Sequence, residues 1–131
     1  VHFTVDIRSW DDDHAVDAWE LLKKDFNEIA ARRGTPMRIE ETRRCPHAPF
    51  DEKLVKRVLD TAKDLGYSHL HMVSGAGHDA SYMNQVCPTA MIFVPSIGGR
   101  SHVEVENTAG EDCESGANVL LHCLLKTANA T

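Results

Sequence analysis

Three segments hold residue types that could do chemistry. The first, Ser74-Gly75-Ala76-Gly77-His78-Asp79-Ala80, sets two glycines beside a histidine and an aspartate. Glycine lets the backbone approach a ligand closely, and a loop that leaves a strand and opens a helix can turn its N–H groups toward an anionic or carbonyl oxygen. A tight strand-to-helix turn capped by Asp79 explains the same residues equally well. The third glycine of a dinucleotide fingerprint is missing. The second segment runs from Gly98 to Glu106 and follows an apolar run. In open α/β sheets, sites collect just past the carboxyl ends of strands. There His102 could bind a metal through one ring nitrogen while Glu104 or Glu106 orients the other. On these residues alone, a solvated charged loop is the plainer reading. The third feature is Asp6 with Arg8, on one face of an extended strand. The planar fork of Arg8 suits a carboxylate, either that of Asp6 or that of a substrate. Spacing alone favours the ion pair with Asp6.

Other reactive residues carry weaker signals. His69 and His71 share a strand face but have no third ligand nearby in sequence. Asp11-Asp12-Asp13-His14 reads as the start of a helix rather than as a cation site. His122 falls inside the last helix, and Cys87 has no histidine pattern around it. Neither a G-x-S-x-G elbow nor an H-E-x-x-H helix is present.

The elements that position these residues follow from periodicity. Val1, Phe3, Val5 and Ile7 alternate with polar residues, as in a strand with one buried face. A helix is predicted next, with Ala15, Ala18, Trp19, Leu22, Phe26, Ile29 and Ala30 on one stripe and Gly34 just past its end. Residues 37–42 read as a second strand. Pro46 and Pro49 then break regular structure, and a domain boundary is placed here. A second helix runs from about Glu52 to Gly66, followed by a short strand over 69–73 and a short helix through Met83. Residues 89–94 are apolar without alternation, as in a strand covered on both faces. Thr108 and Glu111 have capping-box spacing ahead of a last helix that carries Leu120, Leu121, Leu124 and Leu125. The order is β-α-β, a break, then α-β-α-β-α, an α/β class. Two strands are too few for a covered sheet, so the second part needs strands from elsewhere.

Totals exclude some functions. The chain has 131 residues, 42% hydrophobic and 26% charged, and a net charge of -6. That balance argues against a nucleic-acid partner, which would need clustered Lys and Arg. No apolar run approaches membrane-spanning length. Four cysteines without a C-x-x-C pair suit a reduced, cytoplasmic protein better than a disulfide framework. No signal peptide is recognisable, and Val1 falls inside a strand pattern, which suggests a processed or shortened chain.

Taken in order, the segments Val5-Asp6-Ile7-Arg8, Ser74 to Ala80, Met91-Ile92-Phe93-Val94-Pro95-Ser96, Gly99-Arg100-Ser101-His102-Val103-Glu104-Val105-Glu106, Glu111-Asp112 and Gly116-Ala117-Asn118-Val119-Leu120 resemble one family. It is the carbamoylase group of the aminoacylase and carboxypeptidase-like metallohydrolases. The group includes N-carbamoyl-L-amino-acid hydrolases, β-ureidopropionases, allantoate amidohydrolases and ureidoglycolate amidohydrolases. The resemblance covers nearly the whole chain and does not choose among these substrates.

The resemblance implies that residues 1–45 are the end of an inserted α/β lid domain that mediates homodimerisation. It implies that residues 46–131 are the C-terminal part of a layered α/β catalytic domain holding two divalent metal ions, zinc or manganese. His102 matches the family's last metal-ligand histidine. Arg8 matches the lid arginine that grips a substrate carboxylate, which reverses the reading favoured by spacing. Gly75, Ala76 and Gly77 match a loop lining the substrate pocket, with His78 nearby. The family's other ligands and its catalytic glutamate lie upstream of the strand that opens this chain. The implied reaction is metal-dependent hydrolysis of a C–N bond in a small N-carbamoyl amino acid or ureido acid, with this chain an incomplete part of the enzyme. It needs the missing N-terminal part of the catalytic domain, because one ligand cannot hold two metals. The rival readings are a non-catalytic dimerisation or binding fragment, or one subunit of a split enzyme.

Overall fold

Asp11 starts the first helix, α1 (Asp12–Arg33). Its Oδ1 accepts the N–H groups of Asp13 at 2.9 Å and His14 at 3.1 Å, which satisfies two donors that a helix start otherwise leaves bare. The His14 bond is the main reason that the Asp11 carboxyl sits below the ordinary carboxylate range. At the other end Gly34 adopts φ 64°. Its N–H donates to the Ala31 carbonyl and that of Thr35 to the Ala30 carbonyl, a Schellman ending that a glycine adopts without strain. The structure, a computed structural model, describes residues 1–129.

The described residues form two units. One comprises Val1–Ala48 together with Val73–Gly77, and the other comprises Pro49–Met72 and the residues from His78 onward. In the first unit, Ala15, Ala18, Trp19, Leu22, Phe26 and Ala30 of α1 are partly covered, as the stripe predicts, whereas Ile29 is exposed. The Phe3 ring meets Phe26 edge-on at 6.1 Å. His47 donates its N–H to Asp12 Oδ1 at 2.8 Å, bringing the far end of this segment back to the start of α1.

The second unit contains α2 (Glu52–Asp64), the short α3 (Asp79–Met83), a 3₁₀ turn at Ile97–Gly99 and α4 (Gly110–Ala128). Asp51 caps α2 through a 2.8 Å bond from Leu54 N–H, and its own N–H donates to the Thr89 carbonyl. Helices α2 and α4 pack together. Ala62, Val119 and Cys123 are buried there beside Thr61. Burying a side chain such as Val119 contributes about 1.5–3 kcal/mol. Around this core, Asn118 Nδ2 donates to Tyr67 Oη at 3.1 Å, Arg57 Nη1 to Thr127 Oγ1 at 2.9 Å, and Lys126 Nζ to Asp64 at 2.6 Å. Gly116 lies against Val94 so closely that a Cβ there would overlap Val94 Cγ1.

Three expectations need correction. The segments 1–8, 37–42, 69–73 and 89–94 form no strand ladder among the described residues. A strand exists only where a neighbour takes its N–H and C=O groups, and the alternating or apolar pattern of these segments supplies no such neighbour by itself. Of the α/β expectation, only the helices are therefore present as regular elements. Helix α4 starts after Ala109, with no side-chain cap; Thr108 instead donates its N–H to Asn107 Oδ1, so the expected capping box does not form. His78, not Asp79, occupies the N-cap of α3. Much apolar surface stays open, with Leu120, Leu121, Leu124 and Leu125 of α4 between 51% and 59% exposed. No helix among the described residues is long and apolar enough to cross a membrane.

Candidate functional site

Arg8 is the best-defined candidate. Its Nε and Nη2 donate to Asp6 Oδ2 at 2.9 and 2.6 Å, and its Nη1 donates to the Gly75 carbonyl at 3.0 Å. The first two bonds are the ion pair that the spacing favours. The third joins residues 67 apart in sequence. Both charged side chains remain open to solvent, Arg8 at 62% and Asp6 at 66%. The hydrogen bond from Arg8 holds the Asp6 carboxyl below its usual range, and the Arg8 guanidinium is correspondingly raised.

The small-residue loop lies beside Arg8. A Cβ placed on Gly75 would lie 3.9 Å from Arg8 Cδ. Ala76 donates its N–H to Ser74 Oγ at 3.2 Å, which tightens the turn. Gly75, Ala76 and Gly77 are all exposed, so this backbone is available to a ligand. His78 is half-buried and its ring stands edge-on to Phe93 at 5.5 Å. Its packing is thus partly apolar.

His102 lies in a strained loop of the second unit. It adopts φ 60°, the left-handed region that a residue with a Cβ enters at a cost. Gly98 and Gly99 just before it share that sign of φ. The Glu106 carboxylate accepts the His102 backbone N–H at 2.7 Å, and Glu106 N–H in turn donates to the Val103 carbonyl. From sequence, Glu104 or Glu106 could orient the imidazole; in the structure the Glu106 carboxylate accepts from the His102 backbone. The loop closes further where Ile97 N–H donates to the Asn107 carbonyl at 2.8 Å. Gly99, Arg100, Ser101, Val103 and Val105 line a concave surface there.

Among the described residues no group of three or more His, Cys, Asp or Glu side chains is arranged to hold a metal. His102 is exposed and gives one imidazole. The residues present therefore do not make a metal centre by themselves, since a divalent ion needs about four donors. The weaker histidines have other contacts: His69 Nδ1 lies 3.0 Å from the Tyr67 carbonyl and His122 Nδ1 lies 2.8 Å from that of Asn118. All four cysteines are free thiols.

Sequence reasoning missed two partners, the Gly75 carbonyl that accepts from Arg8 and the role of Glu106 at the His102 backbone. No residue type signals the first, because the acceptor is a backbone carbonyl that every residue carries. For the second, a non-glycine φ near 60° leaves no mark in sequence.

The chain is similar to an N-carbamoyl-L-amino-acid amidohydrolase of Rhizobium meliloti, 43% identical over 98% of this chain and 31% of that protein. It is 36% identical to an allantoate amidohydrolase of Bacillus subtilis, again over 98% of this chain and 31% of that protein. Among solved structures, an amidase of the hydantoinase/carbamoylase family from Burkholderia multivorans matches with a TM-score of 0.86 and 42% identity, over 90% of this chain and 29% of that one. The chain thus spans about a third of the length of the relatives it matches. The model of Peptidase family M20/M25/M40 matches residues 7–126, nearly the whole sequence, and the chain belongs to that family.

Proposed function

We propose that this chain works as part of a longer enzyme that hydrolyses a C–N bond in an N-carbamoyl amino acid or ureido acid, with Arg8 binding the substrate carboxylate. The observation that carries this reading is the bond from Arg8 Nη1 to the Gly75 carbonyl. It joins the Asp-x-Arg segment to the Ser-Gly-Ala-Gly loop, so that an exposed cation and an exposed, small-residue backbone share one surface. A guanidinium fixed in this way matches a carboxylate in two-point geometry. Holding one end of a small substrate aligns the other end for reaction. The names of the relatives, a carbamoyl-amino-acid amidohydrolase and an allantoate amidohydrolase, support ureido acids as the substrate class. Water would add to the ureido carbonyl, ammonia and carbon dioxide would leave, and an amino acid or its analogue would remain.

The family's chemistry is metal-dependent, and in the proposal His102 gives one imidazole to a centre of two divalent ions, zinc or manganese. The other donors and the proton-carrying glutamate would come from polypeptide outside these residues, because no group of three or more such side chains is arranged for a metal among the described residues. We assign residues 1–45 to the end of a lid and dimerisation domain and 46–131 to the catalytic domain. The division of the chain near Ala48 and Pro49 supports that boundary, with Val73–Gly77 grouping with the first unit. Free thiols suit a cytoplasmic enzyme. The test is ammonia release by the complete enzyme from a panel of N-carbamoyl amino acids and allantoate. Turnover of at least one is expected, with Arg8→Ala raising KM and lowering kcat/KM. Kinetics unchanged by Arg8→Ala would remove Arg8 from the site.

A further inference from the structure

We propose that Asp6 is a positioning residue for substrate recognition: it occupies the side edge of the Arg8 guanidinium, so that the end edge is left facing a substrate carboxylate. The inference rests on the reading of Arg8 as the carboxylate-binding residue and adds a second residue to it.

A guanidinium has five N–H donors in one plane. Nε and Nη2 form one edge, and each gives a hydrogen to Asp6 Oδ2, at 2.9 and 2.6 Å. Nη1 gives a hydrogen to the Gly75 carbonyl at 3.0 Å. Nη1 is the nitrogen on the Cδ side, and Gly75 is near Cδ as well, a Cβ built on it falling 3.9 Å away; in the proposal the Gly75 carbonyl therefore takes the Nη1 hydrogen on that side. One N–H is then left on Nη1 and one on Nη2. These two point outward together from the end of the fork, which is the pair that a carboxylate takes in two-point contact. Asp6 and a substrate carboxylate therefore do not compete for the same hydrogens, and the ion pair and the substrate contact can exist together.

The arrangement also answers a problem of mobility. Arg8 is exposed, and an exposed arginine held at one point turns freely about its terminal torsions. Two bonds to one oxygen of Asp6 and one to a backbone carbonyl fix the plane of the fork before substrate arrives, which lowers the ordering cost on binding. The Asp6 carboxylate repels a substrate carboxylate as well, so two effects oppose each other and their balance is measurable. If orientation outweighs repulsion, removing Asp6 weakens binding. If repulsion outweighs orientation, removing it tightens binding.

The experiment compares Asp6→Ala, Asp6→Asn and Arg8→Ala in the complete enzyme, with an N-carbamoyl amino acid as substrate. Metal content and circular dichroism are checked for each variant. Asp6→Ala is expected to raise KM roughly tenfold with a much smaller change in kcat, the split that marks lost binding rather than lost chemistry. Asp6→Asn keeps an oxygen that can accept from Nε and Nη2, and it should recover most of the loss. If Asp6→Ala does not fold, Asp6→Ser, too short to reach the fork, takes its place. An unchanged or lowered KM in the shortened variants overturns the proposal, as does an Asn variant no better than Ala. If Arg8→Ala is impaired while the Asp6 variants are silent, only the role of Asp6 falls. If Arg8→Ala is silent too, the reading of Arg8 falls with it.

Discussion

Arg8 donates Nη1–H to the carbonyl of Gly75 at 3.0 Å, across 67 residues of sequence. Its remaining bonds go to Asp6, two residues away. One local and one distant acceptor together define the plane of the guanidinium, and that plane decides where a carboxylate would dock.

The Asp6–Arg8 pair has a pH signature. The hydrogen bond from Arg8 is the largest cause holding the Asp6 carboxyl below its ordinary value of 3.8. A group with a depressed folded pKa contributes stability that is complete above the unfolded value and is lost as pH falls through the folded one. The pair is thus intact at neutral pH and opens only in acid below 3.8. A carbon-13 NMR titration of the Asp6 carboxyl should show a midpoint below 3.8 that rises in Arg8→Ala. A midpoint indifferent to Arg8 would contradict the bond.

Thr61 is fully buried in α2, and its Oγ1 has no hydrogen-bond partner among the described residues. A buried hydroxyl without a partner costs about 1–3 kcal/mol. Replacing it with a methyl group of similar size, in Thr61→Val, should raise stability by about 1 kcal/mol or more. The urea midpoint is expected to rise with the slope unchanged. A lower midpoint would mean that the hydroxyl has a partner in the complete protein.

His102 separates loop stability from ligand chemistry. At φ 60°, glycine is favoured over alanine by about 1 kcal/mol. His102→Gly should therefore be more stable than His102→Ala by about that amount, while both lose metal from the complete enzyme to the same extent. Elemental analysis and thermal unfolding check the two halves. A metal content unaffected by either variant would remove His102 from the ligand set.

The sequence made some of this legible. The ends of α1 follow from Asp11 and Gly34, because both act through local bonds. So does the Asp6–Arg8 ion pair, which needs a spacing of two on an extended segment. What depends on distant partners did not show. The alternation of Val1 to Ile7 is visible, yet a ladder needs a neighbouring strand, and no ladder forms among the described residues. The Thr108–Glu111 spacing suggested a cap, but the Thr108 N–H is taken by Asn107 and α4 starts beyond it. The bond from Arg8 to the Gly75 carbonyl did not show either, because its acceptor is a backbone group 67 residues away. The backbone strain at His102 and the bond from its N–H to Glu106 arise from the path of the loop, to which residue type gives no guide.

Recognition of a carboxylate by the Arg8 guanidinium can be checked most directly by replacing that carboxylate on the substrate. The complete enzyme, native and with Arg8→Ala, would be assayed on an N-carbamoyl amino acid and on its carboxamide analogue. Native enzyme should prefer the acid by roughly a hundredfold in kcat/KM, a loss typical of a charge-assisted two-point contact. Arg8→Ala should erase most of that preference by losing activity on the acid and little on the amide. An equal loss on both substrates, with the preference intact, would show that the carboxylate is read by another residue.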